Sequence, residues 1–243
     1  MRHVVAFLCL AALTMFLASS PALAQEVQID FGDGSLAGRS VQLLVLITLL
    51  SLVPGLAIMI TCFPFIVTVL SILRQGIGLQ QSPPNMLIVT LALFLTYFVM
   101  EPVFLEAWDN GVTPLVEGTL TVEEALPRAL DPFREFMAAR IDPRTYEALS
   151  TLRPEDSVDL TPQSPLSMMV PSFLLSEIER AFQIGFLIFL PFLIIDLVVA
   201  AVLMSMGMMM VPPAIVSLPF KLAFFAVADG WTLISTALVT SYF

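Results

Sequence analysis

The chain has 243 residues, 58% of them hydrophobic and 12% charged, and its formal net charge is −10. A soluble domain has about a quarter of its residues charged, and a single soluble core cannot hide so large an apolar surplus. The composition therefore predicts a membrane protein in contact with lipid. The scarcity of Lys and Arg excludes a nucleic-acid partner, which requires a basic surface.

Residues 1–24 have the pattern of a cleaved signal peptide. A basic start and an apolar run precede a small-x-small motif, so cleavage is expected between Ala24 and Gln25. An uncleaved first transmembrane helix is the alternative. Residues 25–40 are polar and contain several glycines, which predicts a flexible N-terminal tail.

The mature chain would lack the residue types of common catalytic and metal sites. His3 and Cys9 lie in the predicted signal peptide, so Cys62 would be the only cysteine left and no histidine would remain. Histidine bases, catalytic triads and zinc sites built on Cys or His need these residues. No enzyme activity, cofactor or metal is expected, and Cys62 is interpreted as a small buried apolar residue.

Residues 41–107 are predicted to form a first helical hairpin. The first apolar run is nearly uncharged and exceeds the roughly 20 residues that cross hydrocarbon. Two prolines interrupt this run, and Pro54-Gly55 is the expected break because an internal proline removes a helical hydrogen bond. After a polar loop that contains Arg74, the second apolar helix covers residues 86–105 and is expected to end near Glu101-Pro102.

Residues 108–171 are predicted to form a small, acidic helical subdomain. A cleaved signal peptide places the mature N-terminus outside the cytoplasm, and two crossings return the chain to that side, so this subdomain would be extracytoplasmic. Apolar residues recur at helical spacing, which indicates an amphipathic helix that packs through one face. They are Leu126, Leu130, Phe133, Met137 and Ile141.

Residues 172–243 are predicted to form a second helical hairpin. Its apolar run ends at stop signals around Gly207 and Pro212-Pro213, and a fourth apolar segment covers residues 216–239. The predicted fold is thus an all-α membrane protein with two long helical hairpins (four apolar helical segments) and the acidic subdomain between them. The simplest topology has four crossings, although the hairpins could instead pack against protein neighbours.

Two charged residues, Asp196 and Lys221, lie inside these apolar segments, where a single charge costs at least about 3 kcal/mol. Both lie about 18 Å along their helices from the predicted turn. An antiparallel hairpin would therefore bring them to the same depth as an intramembrane charge pair. A structural pair that fixes hairpin register is favoured over an ion relay or a gating contact. A third acid, Asp229, could lie at the membrane interface beside Trp231.

Methionines crowd around the same turn. Their flexible side chains fill irregular shapes, so a ring of such loops could close a pore, although ordinary packing or lipid contact gives the same pattern. The cluster consists of Met204, Met206, Met208, Met209 and Met210.

Two stretches resemble a known family. The first is SILRQGIGLQQSPPN at residues 71–85, and the second begins as SEIERAFQIGF at residue 176 and continues through PFLIID, LMSMGMMM and LPFK to DGW. Together they resemble the FliP/SctR family of type III secretion export-gate subunits, over nearly all of the predicted mature chain. One departure is Phe63-Pro64-Phe65, where Phe-Thr-Arg is expected in many relatives, so no role of a basic residue at position 65 is carried over.

The resemblance implies a pore-forming subunit of the flagellar type III export gate, which passes unfolded flagellar proteins across the bacterial inner membrane. It implies a homo-pentameric ring in the flagellar basal body, completed by FliQ and FliR and working with FlhB and FlhA, with part of the ring on the periplasmic side. It also implies that Met208, Met209 and Met210 form a pore gasket. The signal peptide favours the flagellar branch of the family. The alternative function is a small ion-coupled membrane transporter that uses Asp196 and Lys221.

Overall fold

The computed structural model describes residues 36–78, 83–152, 159–208 and 210–243. Within these ranges the chain forms helices and no strand, which confirms the predicted all-α class. The predicted signal peptide, its cleavage site between Ala24 and Gln25, and residues 25–35 of the predicted tail lie outside the described residues.

Helix α1 (Leu36–Met59) begins within the predicted tail and crosses the boundary between two structural units. The first unit ends at Leu49, and its described side chains at residues 41 and 43–48 are exposed. The second unit, Leu50–Phe243, contains the rest of the fold and all of the features below.

The break in the first apolar run lies between Met59 and Phe63, so the break predicted at Pro54-Gly55 is wrong. Helix α1 continues through position 54, and helix α2 (Phe63–Ile77) begins with Pro64 in its first turn. A proline in the first turn of a helix removes a hydrogen bond that would not form anyway. The chain therefore breaks where its proline costs least.

Helix α3 (Asn85–Ala107) continues past the predicted end at Glu101-Pro102, because Pro102 lies inside the helix. A π-helical turn (Trp108–Val112) and helix α4 (Thr113–Val116) follow directly. The π-helical turn brings Gly111 against the helix Val122–Arg140, where an added Cβ would lie 2.5 Å from the Ala129 Cβ. This close packing supports the helix beyond the proline.

The acidic segment contains helix α5 (Val122–Arg140) and helix α6 (Pro143–Ser150). The predicted apolar stripe is buried in its second half, where Met137 and Ile141 join a core cluster with Tyr146, but Leu126 is exposed. Leu130 and Phe133 are partly buried.

The C-terminal region contains helix α7 (Leu166–Ser205), helix α8 (Pro213–Val227) and helix α9 (Gly230–Thr240). The predicted fourth apolar segment is thus two helices, bent by 61° at the break after α8. Asp229 occupies the left-handed region with φ 47° at this break, which ends the regular helix.

Among the described residues, fewer helices are candidate membrane spans than the four crossings expected. Within the described ranges, residues 85–116 and α7 are long and apolar enough to cross a membrane, and the bent pair α8–α9 would be a third candidate. Helix α2 is shorter, with 15 residues.

Helix α2 lies at the centre of the main core. Its residues Phe65, Ile66, Val69, Leu70 and Leu73 are fully buried, and burial of each such side chain contributes about 2 kcal/mol. Helix α7 approaches α2 closely at Gly185, where an added Cβ would lie 2.4 Å from Ile72. This central helix positions the charged and apolar features of α7 described next.

Candidate functional site

The methionine loop (residues 206–212) begins at a defined C-terminal cap on α7. Gly207 has φ 76°, its N–H donates to the Met204 carbonyl at 3.0 Å, and the Met208 N–H donates to the Leu203 carbonyl at 2.9 Å. This pair of bonds is a Schellman motif, which favours glycine at the left-handed position. The loop therefore leaves the helix in a fixed direction.

The described methionines of this turn are exposed. Met210 is 97% exposed and Met208 is 45% exposed, and Met204 and Met206 also face away from the core. Met209 lies outside the described residues. The loop thus presents flexible apolar side chains to whatever surrounds this end of the chain.

An apolar groove of about 570 Å³ lies behind the loop, between α7 and α8. Every lining residue is hydrophobic, and Met206 and Met208 form its rim on the loop side. The loop and the groove together make one continuous apolar surface at the tip of the hairpin.

The structure brings Asp196 and Lys221 into contact. The Lys221 Nζ lies 2.6 Å from the Asp196 Oδ2 and also donates to the Gly76 carbonyl at 3.1 Å, and the Ser217 hydroxyl donates to the Asp196 Oδ1 at 2.5 Å. Gly76 lies in the last turn of α2, where the helix dipole favours a cation. The predicted pair links α7 to α8, and the bond to the Gly76 carbonyl additionally links both helices to α2.

Its two members differ in burial. Lys221 is 5% exposed, whereas the Asp196 side chain is 33% exposed. The buried Lys221 ammonium has two acceptors, so its charge is well compensated. Removing either acceptor would destabilise the fold, because the cation would remain buried with less compensation. Chemically, the arrangement can hold three helices in register.

A second buried charge cluster was not predicted from the sequence. Glu177 is 0% exposed, the Arg140 Nε donates to its Oε1 at 3.0 Å, and the Tyr242 hydroxyl donates to its Oε2. The half-exposed Arg180 Nη1 lies 3.6 Å from the same carboxylate. In the sequence, Glu177 stands beside an apolar run, which could have suggested a buried acid. Nothing in the spacing of the two residues indicates that Arg140 is its partner.

This cluster also holds the end of the chain. The Arg140 Nη1 donates to the Ser241 carbonyl at 2.9 Å, and its guanidinium lies 4.0 Å from the centroid of the Tyr242 ring. Burial and the neighbouring Glu177 charge raise the pKa of the Tyr242 hydroxyl above its ordinary value, which keeps it protonated as a donor. Burial also raises the pKa of Cys62 to about 12, as expected for an unreactive thiol.

The third predicted acid, Asp229, is exposed and accepts a hydrogen bond from the Thr232 hydroxyl at 3.1 Å. Trp231 packs edge-on against Phe225, with ring centroids 5.4 Å apart. Among the residues that the structure describes, no cluster of three or more His, Cys, Asp or Glu side chains could hold a metal ion.

These features define a class: an all-α, membrane-associated protein that presents a methionine loop on a hairpin braced by buried charges. The sequence profile of the FliP family matches residues 46–238, and the chain belongs to this family.

Relatives over most of the chain support the same assignment. The chain is similar to the flagellar biosynthetic protein FliP of Caulobacter vibrioides, with 47% identity over 96% of this chain and 88% of the relative. It is 46% identical to that of Bacillus subtilis over 86% of this chain and 95% of the relative. It is 41% identical to that of Aquifex aeolicus over the full length of both.

Proposed function

We propose that the chain is a pore-forming subunit of the flagellar type III protein export gate, which passes unfolded flagellar proteins across the bacterial inner membrane. Membership of the FliP family already indicates a flagellar biosynthesis export component. The observation that carries the finer step is the methionine loop, whose described methionines are exposed at a rigidly capped hairpin tip.

In this proposal Met208, Met209 and Met210 form a gasket. One loop is too small to close an opening, but equivalent loops from a homo-pentameric ring would bring apolar, adaptable side chains together at its axis. Such a seal blocks ions because it offers no polar groups, and it yields to a passing chain because methionine has three rotatable bonds.

Neighbouring subunits would cover the exposed apolar face of α7. Phe182 and Phe186 are 59% and 60% exposed, and Ile194 and Val198 continue the exposed surface along the helix. Exposed apolar area of this extent marks an interaction surface. We assign it to other copies of the chain and to FliQ and FliR in the basal body, with FlhB and FlhA as further partners and lipid around the assembly.

The proposed location is the bacterial inner membrane, with part of the ring on the periplasmic side. In this arrangement neighbouring subunits cover some of the apolar helices, which then do not need to cross lipid.

The charge pair has a structural role in this proposal. Lys221 is satisfied by Asp196 and by the Gly76 carbonyl, so it fixes the hairpin that carries the loop. The partial exposure of Asp196 favours a second candidate, a small ion-coupled transporter in which this carboxylate binds the ion.

The two candidates predict different assemblies. Native mass spectrometry of the gently solubilised complex, isolated through a tag on this chain, should detect a closed ring of identical copies together with other small membrane subunits. A monomer or dimer, under conditions that preserve other complexes, would instead favour the transporter.

The gasket has its own test. Replacing Met208 and Met210 together by serine should raise the ion permeability of membranes that contain the assembled gate. Met86→Ser is the matched control, because Met86 is 80% exposed and belongs to a different helix, α3. Unchanged permeability in an assembled double variant would contradict the gasket.

A further inference from the structure

The C-terminal strap, helix α9 with residues 241–243, packs on the fold through one apolar face, to which Val239 and the Tyr242 ring contribute as partly buried side chains. Ile234 and Leu238 are its buried apolar side chains among the described residues, and both lie against the main core cluster. That cluster is otherwise built from α2, α3, α7 and α8 and includes the fully buried residues of α2. The core therefore does not depend on the strap for most of its buried area.

The strap meets the rest of the chain at a strained hinge. Asp229 has φ 47° and ψ 48°, a left-handed conformation that Asp adopts more readily than most residues other than glycine but that is still less favourable than the right-handed one. The next residue, Gly230, touches the Phe225 ring so closely that an added Cβ would lie 2.1 Å from it. A bend that costs conformational energy persists only where contacts elsewhere hold both of its arms.

Each arm of the bend is held by a different buried charge. Helix α8 is fixed at Lys221, which contacts Asp196 and the Gly76 carbonyl. The strap is fixed at its far end, about 17 Å along α9 from the hinge, by the Glu177 cluster. We define Arg140, Glu177 and Tyr242 as the C-terminal clamp.

The clamp holds the strap through side chain and backbone together. Tyr242 donates its hydroxyl to Glu177, its ring stacks on Phe136 at 6.0 Å, and Arg140 binds both the ring face and the Ser241 carbonyl. The carboxylate is paired with the Arg140 guanidinium, so this hydrogen bond is of the strong, charge-assisted kind. These contacts are concentrated on two consecutive residues of the strap.

We propose that the C-terminal clamp is a latch that keeps α9 docked across its strained hinge, so that opening the clamp releases the strap while the core of α2, α3 and α7 stays folded. This is a conformational device within one chain, and it goes beyond the proposed export function. A strained hinge, one apolar docking face and a polar latch at the far end are what such a local release requires.

Thiol labelling of the full chain in native membranes tests the latch. Leu238→Cys, made with Cys9 and Cys62 replaced by alanine, reports on docking because Leu238 is 2% exposed. Val69→Cys in the same background reports on the core, where Val69 is 0% exposed. Tyr242→Phe, which removes only the hydroxyl, should raise the rate of maleimide labelling at position 238 about tenfold and leave position 69 slow.

Two further variants complete the experiment. Glu177→Gln keeps the shape of the carboxylate but removes its charge, and it should produce the same selective rise at position 238. Tyr97→Phe is the matched control, because it removes the hydroxyl of an exposed tyrosine on α3.

The labelling rates at positions 238 and 69 together decide whether the clamp is a latch. An unchanged rate at position 238 in Tyr242→Phe overturns the latch. Equal rises at positions 238 and 69 also overturn it, because the clamp would then hold the whole core. The measurement involves no export, so the latch and the export function stand or fall separately.

Discussion

Helix α7 carries two buried charge clusters, about 28 Å apart along its axis, that differ in how each carboxylate is satisfied. Asp196 is one-third exposed and shares a single lysine with a backbone carbonyl. Glu177 is fully buried and depends on Arg140 and Tyr242. Asp196 keeps the Ser217 hydroxyl and is less enclosed by the chain when its partner is lost, whereas Glu177 is fully enclosed, so burial rather than distance ranks the two clusters.

The largest effect is expected for Arg140→Met, which leaves the Glu177 carboxylate buried with its main cation removed. Loss of one partner of a buried ion pair costs about 3–5 kcal/mol. The fall in melting temperature of Arg140→Met in mild detergent measures this loss of stability. Arg180→Met is the control, because this half-exposed arginine lies farther from the same carboxylate and should contribute about 1 kcal/mol or less.

Lys221→Met should destabilise the protein less, by about 1–3 kcal/mol, because the stranded Asp196 keeps the Ser217 hydroxyl and is only partly enclosed by the chain. Adding Asp196→Asn to Lys221→Met should recover part of this loss in the same melting experiment. A loss as large as that of Arg140→Met would mean that burial does not rank the two clusters.

Exchanging Asp196 and Lys221 tests how much the contact with α2 contributes. Asp196→Lys combined with Lys221→Asp should restore only part of the membrane level lost in Lys221→Asp alone. The reason is that a carboxylate at position 221 would face the Gly76 carbonyl, which now accepts a hydrogen bond from Lys221. Full recovery on immunoblots would show that the contact with α2 contributes nothing.

The smallest effect is expected at the exposed N-terminus of α6. The Arg144 side chain and backbone N–H hold the pKa of Asp142 below its ordinary value. This carboxylate therefore stabilises the fold above the ordinary aspartate pKa, and the contribution is lost as the pH falls through the lowered one.

Asp142→Asn should accordingly lower the melting temperature slightly near pH 7, and the difference from the unmodified chain should disappear on acidification below about pH 4. Asp131→Asn, at an exposed acid on α5, is the control. A difference that grows on acidification would contradict the assigned direction.

Hydropathy predicted the helical class and the approximate apolar segments, because apolar runs of this length have few other structures available. Antiparallel register was enough to place Asp196 near Lys221, since a tight turn separates them. The same reasoning could not pair Glu177 with Arg140, because no tight turn joins α5 to α7 and α6 lies between them in the chain, so the sequence separation sets no register.

Prolines misled the prediction of helix ends. Pro54 and Pro102 lie inside helices, whereas Pro64 marks a real start. Sequence gives the hydrogen bond that a proline removes, but tertiary packing, such as that of Gly111 on α5, decides whether the helix continues. The bend at Asp229 was missed for the same reason, because its supports are distant contacts.

Phe65, which stands where the Phe-Thr-Arg motif would have an arginine, packs beside the Glu177 cluster. Its ring lies 5.6 Å from the Tyr242 ring and beneath Arg140, at the edge of the Glu177 cluster. An arginine at position 65, in contact with the Tyr242 ring, would compete with the Tyr242 hydroxyl for this carboxylate. We therefore expect positions 65 and 242 to change together in evolution, so that lineages with a basic residue at the first lack a hydroxyl at the second.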